Sequence, residues 1–222
     1  MTQFYIPMES TDQWRRLLAE PDKHWKKGRS AMSLALSWTS AKGFPNAVRD
    51  AIRKADSAAV HPAEFAIGFP EHKVELPGGS RASQTDLLVL ARTPRGSMVI
   101  AVEGKVDETF GPLVREWKAD ASAGKQERLA FLCAKLGLKT EAIDDCRYQL
   151  LHRTASAVIE AKRFNAQDAL MLVHSFDANE AGFDDYARFL SCFDVRAEVG
   201  RSQRARVVAG VDLHFCWTSD LL

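Results

Sequence analysis

The sequence predicts a mixed α/β fold in which helices cover both faces of one sheet. Three observations carry this. Helical segments dominate the first quarter of the chain. A meander of about three strands follows, and the order helix, strand, helix, strand closes the chain. The strand candidates are apolar on both sides, as strands of a covered sheet must be. With 222 residues, 46% apolar and 27% charged, the chain is long enough for one domain with a proper core. Its expected parts are a helical segment over about 1–56, a core over about 57–175, and a C-terminal helix and strand over about 176–222.

Taken in order, Ser10-Thr11-Asp12 offers a cap for a short helix through Leu18, with Trp14, Leu17 and Leu18 on one face. Pro21-Asp22-Lys23-His24 interrupts it. Ser30–Ala41 reads as the next helix, ended by Gly43-Phe44-Pro45, and Pro45 suits the first turn of a helix running to about Ala55. Phe65–Leu76 reads as two extended pieces around Pro70, and Pro77-Gly78-Gly79 as a turn. Asp86–Ala91 and Met98–Val102 are apolar runs of strand length joined by Thr93-Pro94-Arg95-Gly96, a tight turn. Ser122–Leu136 is a helix stopped by Gly137, and Ile143–Lys162 is another. Ala169–Val173 is a buried strand, Tyr186–Phe193 a helix, and Arg206–Trp217 a final strand.

Composition excludes several classes. Thirty basic residues against 29 acidic ones rule out a protein whose whole surface binds nucleic acid, though not a local basic groove. No apolar run reaches the ~20 residues of a spanning helix. Met1-Thr2-Gln3-Phe4-Tyr5 has no basic flank and apolar stretch of a secretory leader, so a cytoplasmic protein is expected. Cys133, Cys146, Cys192 and Cys216 form no C-x-x-C and read as buried, reduced thiols. Signatures of phosphate-binding loops, dinucleotide folds, nucleophile elbows and zinc proteases are absent.

What remains is a carboxylate pair and a lysine. E-x-K occurs four times, at Glu71, Glu103, Glu116 and Glu160. The Glu116 and Glu160 copies lie in expected helices, where i and i+2 do not face each other. Only Glu103-Gly104-Lys105 ends an apolar strand. With Pro94 and Arg95 at the centre of the turn, paired positions sum to 189, so Asp86 falls opposite Glu103, ~5 Å away at Cβ. Lys105 points the same way. Two carboxylates so close repel each other unless a cation intervenes, and a hard Mg²⁺ or Mn²⁺ is the natural one. Such an ion polarises a phosphate and activates water, with Lys105 to orient that water or stabilise developing charge. The plainer alternative is a cross-strand salt bridge.

Ser83-Gln84-Thr85-Asp86-Leu87-Leu88-Val89, the tight turn, and Val99-Ile100-Ala101-Val102-Glu103-Gly104-Lys105 resemble the PD-(D/E)XK nuclease superfamily. Thr85 stands where the family's name has proline. The resemblance implies a restriction-endonuclease-like core over about residues 30–175 and a divalent-metal-dependent nuclease acting on DNA, or secondarily RNA. Asp86 and Glu103 would hold the metal and Lys105 would be the catalytic lysine. It also implies a third acidic ligand, for which Glu64 and Glu71 are the candidates. In the helix after the motif, Gln149, His152, Arg153 and Ser156 form a polar stripe, and Arg147 or Gln149 would orient a phosphate or water. The alternative to turnover is a nuclease-like fold kept as a binding or regulatory module. Two basic segments, Lys23-His24-Trp25-Lys26-Lys27-Gly28-Arg29 and Arg201/Arg204/Arg206, offer phosphate contacts. A homodimer would set two sites on two strands. His174 reads as a strand-end histidine rather than a ligand.

Overall fold

A computed structural model describes residues 3–8 and 10–220; Met1 and Thr2, part of the segment read for a secretory leader, lie outside the described residues. The elements are α1 (Asp12–Arg15), α2 (Pro21–His24), α3 (Ser30–Ser40), α4 (Asn46–Arg53), β1 (Glu64–Val74), β2 (Ser83–Thr93), β3 (Gly96–Lys105), α5 (Val114–Trp117), α6 (Ala123–Leu136), α7 (Tyr148–Arg163), β4 (Asp168–Ser175), α8 (Phe183–Ser191), β5 (Arg201–Val208) and β6 (Val211–Ser219). The strands form one sheet in the order β1-β2-β3-β4-β6-β5. The β1–β2, β2–β3 and β5–β6 pairs are antiparallel, while β3–β4 and β4–β6 are parallel.

Alternation along the central strands feeds two apolar layers. Leu88, Val99, Ala101, Met171 and Val173 face the layer built by α6, α7 and α8. Leu87, Val89, Ile100, Val102, Leu170 and Leu172 face α3, α4 and Trp14. The expected helix-covered mixed sheet is therefore present. The sheet draws its strands from residues 64 to 219, so the division near 56 precedes its first strand and the one near 175 falls between strands of the same sheet.

Several boundaries differ from expectation, each for a local reason. The first helix stops at Arg15, and Thr11 makes no side-chain cap; Pro21 opens its own short turn rather than merely breaking a helix. Pro45 caps α4 instead of lying within it. The stretch read as two pieces over Phe65–Leu76 holds one strand, β1, ending at Val74, because β1 is an edge strand where Pro70 leaves no required donor missing. Its irregularity lies at Phe65/Ile67, and Glu71 adopts the left-handed φ of 53°. Helix α7 begins at Tyr148 rather than Ile143. Ile143 closes a 3-10 turn over Thr140–Ile143, the carbonyls of Asp144 and Cys146 accept from Arg115 and Val114, and Arg147 bridges Leu113, so this stretch is spent on turns and on holding α5. α8 spans Phe183–Ser191, earlier than Tyr186–Phe193.

The largest correction is at the end of the chain. Arg206–Trp217 is not one strand but parts of β5 and β6, joined at Ala209 (φ 49°) and Gly210 (φ 81°). Two positive φ values are the signature of a tight hairpin turn, and alanine in the first position hides it. The α6 boundaries follow expectation: Ser122 Oγ accepts from Lys125 N, and Gly137 ends the helix at φ 64°. All four cysteines are free thiols; Cys133, Cys146 and Cys216 are buried, whereas Cys192 is half-buried with its sulfur 3.5 Å from that of Cys146.

At the end of β3, Gly104 lies directly beneath α3. A Cβ there would meet Leu34 Cβ at 3.3 Å and the Ser30 carbonyl at 3.5 Å.

Candidate active site at one end of the sheet

The β2–β3 ladder runs from Thr93↔Gly96 to Leu87↔Val102, which is the register expected from the turn. Asp86 lies one step beyond the last pair, and Oδ2 accepts from the Gly104 amide at 2.9 Å. Alternation puts Asp86, Glu103 and Lys105 on the α7 face of the sheet. Glu103 and Lys105 are buried.

Helix α7 completes the cluster. Glu103 Oε1 accepts from Lys105 Nζ at 3.1 Å and from Gln149 Nε2 at 2.6 Å. Its Oε2 accepts from Arg153 Nε at 2.6 Å. Lys105 Nζ also donates to Gln149 Oε1 at 3.0 Å and lies 4.6 Å from the centre of the Phe110 ring. Arg153 Nη1 donates to Ser83 Oγ at 3.1 Å, and Nη2 is 4.0 Å from Asp86 Oδ1. Gln149 thus stands where expected, and the polar stripe of α7 is packed against the sheet rather than solvated. Arg153 is the residue that sequence reasoning underweighted: it appeared in the stripe, but nothing local marked it as the partner of Glu103.

Of the two candidates for a third acid, only Glu71 reaches the site. Its Oε2 accepts from Gln84 at 2.8 Å and its Oε1 from the Trp14 indole at 3.2 Å. Glu64 lies opposite Arg92 at the other end of β1, is exposed, and does not reach the cavity. Arg147, the other candidate for the orienting residue, does not line the cavity and donates to Asp185 at 2.8 Å and to the Gly111 carbonyl at 2.7 Å. A fourth acid, Glu108, was not foreseen. It takes the Ser30 N–H and hydroxyl on Oε1 and the Val106 N–H on Oε2, tying the start of α3 to the site.

Together with Ala19, His24 and Ser30, these side chains enclose a cavity of about 280 Å³. Its electrostatics are uneven. Burial pushes the Glu103 carboxyl up, but Arg153 and Lys105 outweigh that and hold it below the ordinary range. Asp86 is held well above that range by burial and by the charges of Glu103 and Glu71. Burial also raises Glu71, against the hydrogen bonds from Gln84 and Trp14. Two acids therefore line the cavity short of positive charge. That oxygen donor set suits a hard divalent cation in chemistry. In position it is open: among the described residues no group of three or more His, Cys, Asp or Glu side chains is gathered closely enough to hold a metal ion.

The two basic segments are largely spoken for. Lys23 and His24 face Glu20, Arg29 faces Asp107, and Trp25 packs against the α3–α4 layer. Arg201 pairs with Glu198, Arg204 with Asp212, and Arg206 donates to the carbonyls of Leu136 and Gly137. His174 is a structural strand-end residue: Nδ1 accepts from Trp38 Nε1 at 3.1 Å and Nε2 meets Asp220 at 3.1 Å.

Fold and site define a mixed α/β-sheet protein with a buried acid–lysine–arginine cluster opening into a cavity at one sheet end. The chain belongs to the family described as a domain of unknown function, DUF6946, whose model matches residues 7–221. No curated protein and no solved structure matches it. No described helix is long and apolar enough to cross a membrane.

Proposed function

We propose that the chain is a divalent-metal-dependent phosphodiesterase acting on DNA, with a core of the restriction-endonuclease type. One observation carries this reading. Asp86, Glu103 and Lys105 share one face at the end of the β2–β3 hairpin, beside a cavity where acids outnumber cations. Asp86 and Glu71, the acids with raised pKa, would hold Mg²⁺ or Mn²⁺, with Glu103 joining once its cationic partners yield. When bound, the ion supplies Lewis acidity for a phosphate and its attacking water. Lys105, anchored between Glu103 and Gln149, holds a positive charge at the cavity wall, where it orients water or meets charge developing on phosphorus. Gln149 fixes the lysine, and Arg153 neutralises Glu103.

The engagement of both Glu103 oxygens favours one competing reading, a nuclease-like fold that binds without turnover. Titration calorimetry with Mn²⁺ and a plasmid-nicking assay on the same samples separate the two. The phosphodiesterase reading expects metal binding and nicking by wild type, both lost in Asp86→Ala and Glu103→Ala, and nicking alone lost in Lys105→Ala. Wild type that neither binds Mn²⁺, with or without plasmid, nor nicks, while both alanine variants stay folded, establishes the non-catalytic module.

A further inference from the structure

A second cavity, of about 380 Å³, lies on the far side of Ser83 from the acid cluster. Its wall is built. The Pro77-Gly78-Gly79 turn presses on the start of α6 so closely that a Cβ at Gly78 (φ 76°) would fall 2.0 Å from the Gly124 carbonyl. Arg128 pins the turn through the carbonyls of Leu76, Pro77 and Gly79 at 2.8–3.1 Å. Opposite the turn, Trp117 and Tyr148 stack at 4.0 Å with ring planes 11° apart. Lys125 Nζ is 5.3 Å from the centre of the Trp117 ring. The lining includes Arg81, Lys125 and Arg128 and no carboxylate. Arg81 is exposed and has no hydrogen bond or ion pair among the described residues.

The wall shared with the first cavity carries a directed donor. Arg153 Nη1 donates to Ser83 Oγ, and Ser83 Oγ is 2.8 Å from His152 Nδ1. The guanidinium itself lies 3.5 Å from that nitrogen, which suits an acceptor. The serine hydroxyl therefore donates to Nδ1, and neutral His152 carries its proton on Nε2. Burial and the charges of Arg153 and Arg128 keep the ring neutral. Nε2 has no partner among the described residues, although His152 lines the cavity.

We propose that this cavity is a nucleotide subsite: a base lies against the Trp117–Tyr148 pair while Arg81, Lys125 and the His152 Nε2–H take phosphate oxygens. Stacking platforms beside cations are how single strands are held without sequence preference. The occupant is the nucleotide flanking the phosphate presented to Glu103 and Lys105, and in that form the assignment rests on the phosphodiesterase reading.

Fluorescence anisotropy of a labelled oligothymidylate, in EDTA so that no cleavage occurs, tests it on the full chain. Arg81→Glu and Lys125→Glu are each expected to weaken binding at least ~10-fold with unchanged melting temperature. Trp117→Ala should weaken it comparably and Trp117→Phe restore it. Competition by thymidine 5′-monophosphate identifies the source. A mononucleotide that binds as tightly as the strand keeps the pocket and overturns the strand as its occupant. Equal affinity in all folded variants, or no binding of either ligand by wild type, overturns the subsite. The phosphodiesterase reading fails separately, by wild type showing no metal-dependent nicking.

Discussion

Both ends of the central strands carry buried charge, and they are built on opposite terms. At the β2–β3 turn end, Arg95 reaches Asp212 at 2.6 Å and Asp168 at 3.7 Å. Arg204 donates to Asp212 at 2.5 and 2.9 Å, and His214 meets Asp168 at 2.9 Å. Each acid there has a cationic or ionisable partner, and Asp212, lifted by burial, is brought below the ordinary range by Arg95 and Arg204. At the cavity end, Glu71, Asp86, Glu103 and Glu108 share the lining with Lys105, Arg153 and His24, whose ring faces Glu20, and Asp86 moves in the opposite direction. The first arrangement ties a turn to three strands. The second keeps acid in surplus beside open space, the feature on which the proposed cation site rests. Surplus charge, not buried charge as such, separates a site from a brace.

The comparison can be pressed with substitutions. The largest effect is expected from Arg153→Ala, which strips Glu103 of its strongest partner and should lower unfolding free energy by about 3–5 kcal/mol in urea titration. Adding Glu103→Gln should recover part of that loss. Equal loss in single and double variants would show that Arg153 acts through packing instead. Asp168→Asn, at the braced end, should lose about 1–3 kcal/mol as the bond to His214 weakens.

The same exchange at the cavity end should have the opposite sign. The folded-state pKa of Asp86 lies above its ordinary value of 3.8, so its charge opposes folding as pH rises from that value through the folded-state pKa. Asp86→Asn should therefore stabilise by about 1 kcal/mol at pH 7, with the gain vanishing in strong acid, where both forms are neutral. A loss at pH 7 would mean that the Gly104 contact outweighs the repulsion and would erase the contrast. Arg204→Ala is the smallest case. Its side chain is 45% exposed, so less than about 1 kcal/mol is expected, shrinking further in salt.

What could be read from the sequence follows the range of the interactions. The hairpin register was legible because a four-residue turn fixes it, and with it the common face of Asp86, Glu103 and Lys105. Gln149 was within reach because it lies on a helix whose stripe repeats locally. Arg153 was not, since its bond to Glu103 joins residues 50 apart. Glu71 could not be separated from Glu64, because the register shift at Phe65/Ile67 falls between them and breaks the alternation that would relate their faces. The closing hairpin escaped because its turn begins with alanine and β5 is rich in arginine rather than apolar residues.

The glycine between Glu103 and Lys105 has a consequence beyond its own position. Its amide holds Asp86, and its missing side chain lets Leu34 and Ser30 of α3 settle against the strand. One backbone unit is therefore common property of the N-terminal helices and the acid cluster. A substitution that reseats α3, made at a residue with no charge and no contact with the cavity, is expected to reach the carboxylate through that shared unit. Helix α3 and the acid cluster are in this sense seated on one peptide.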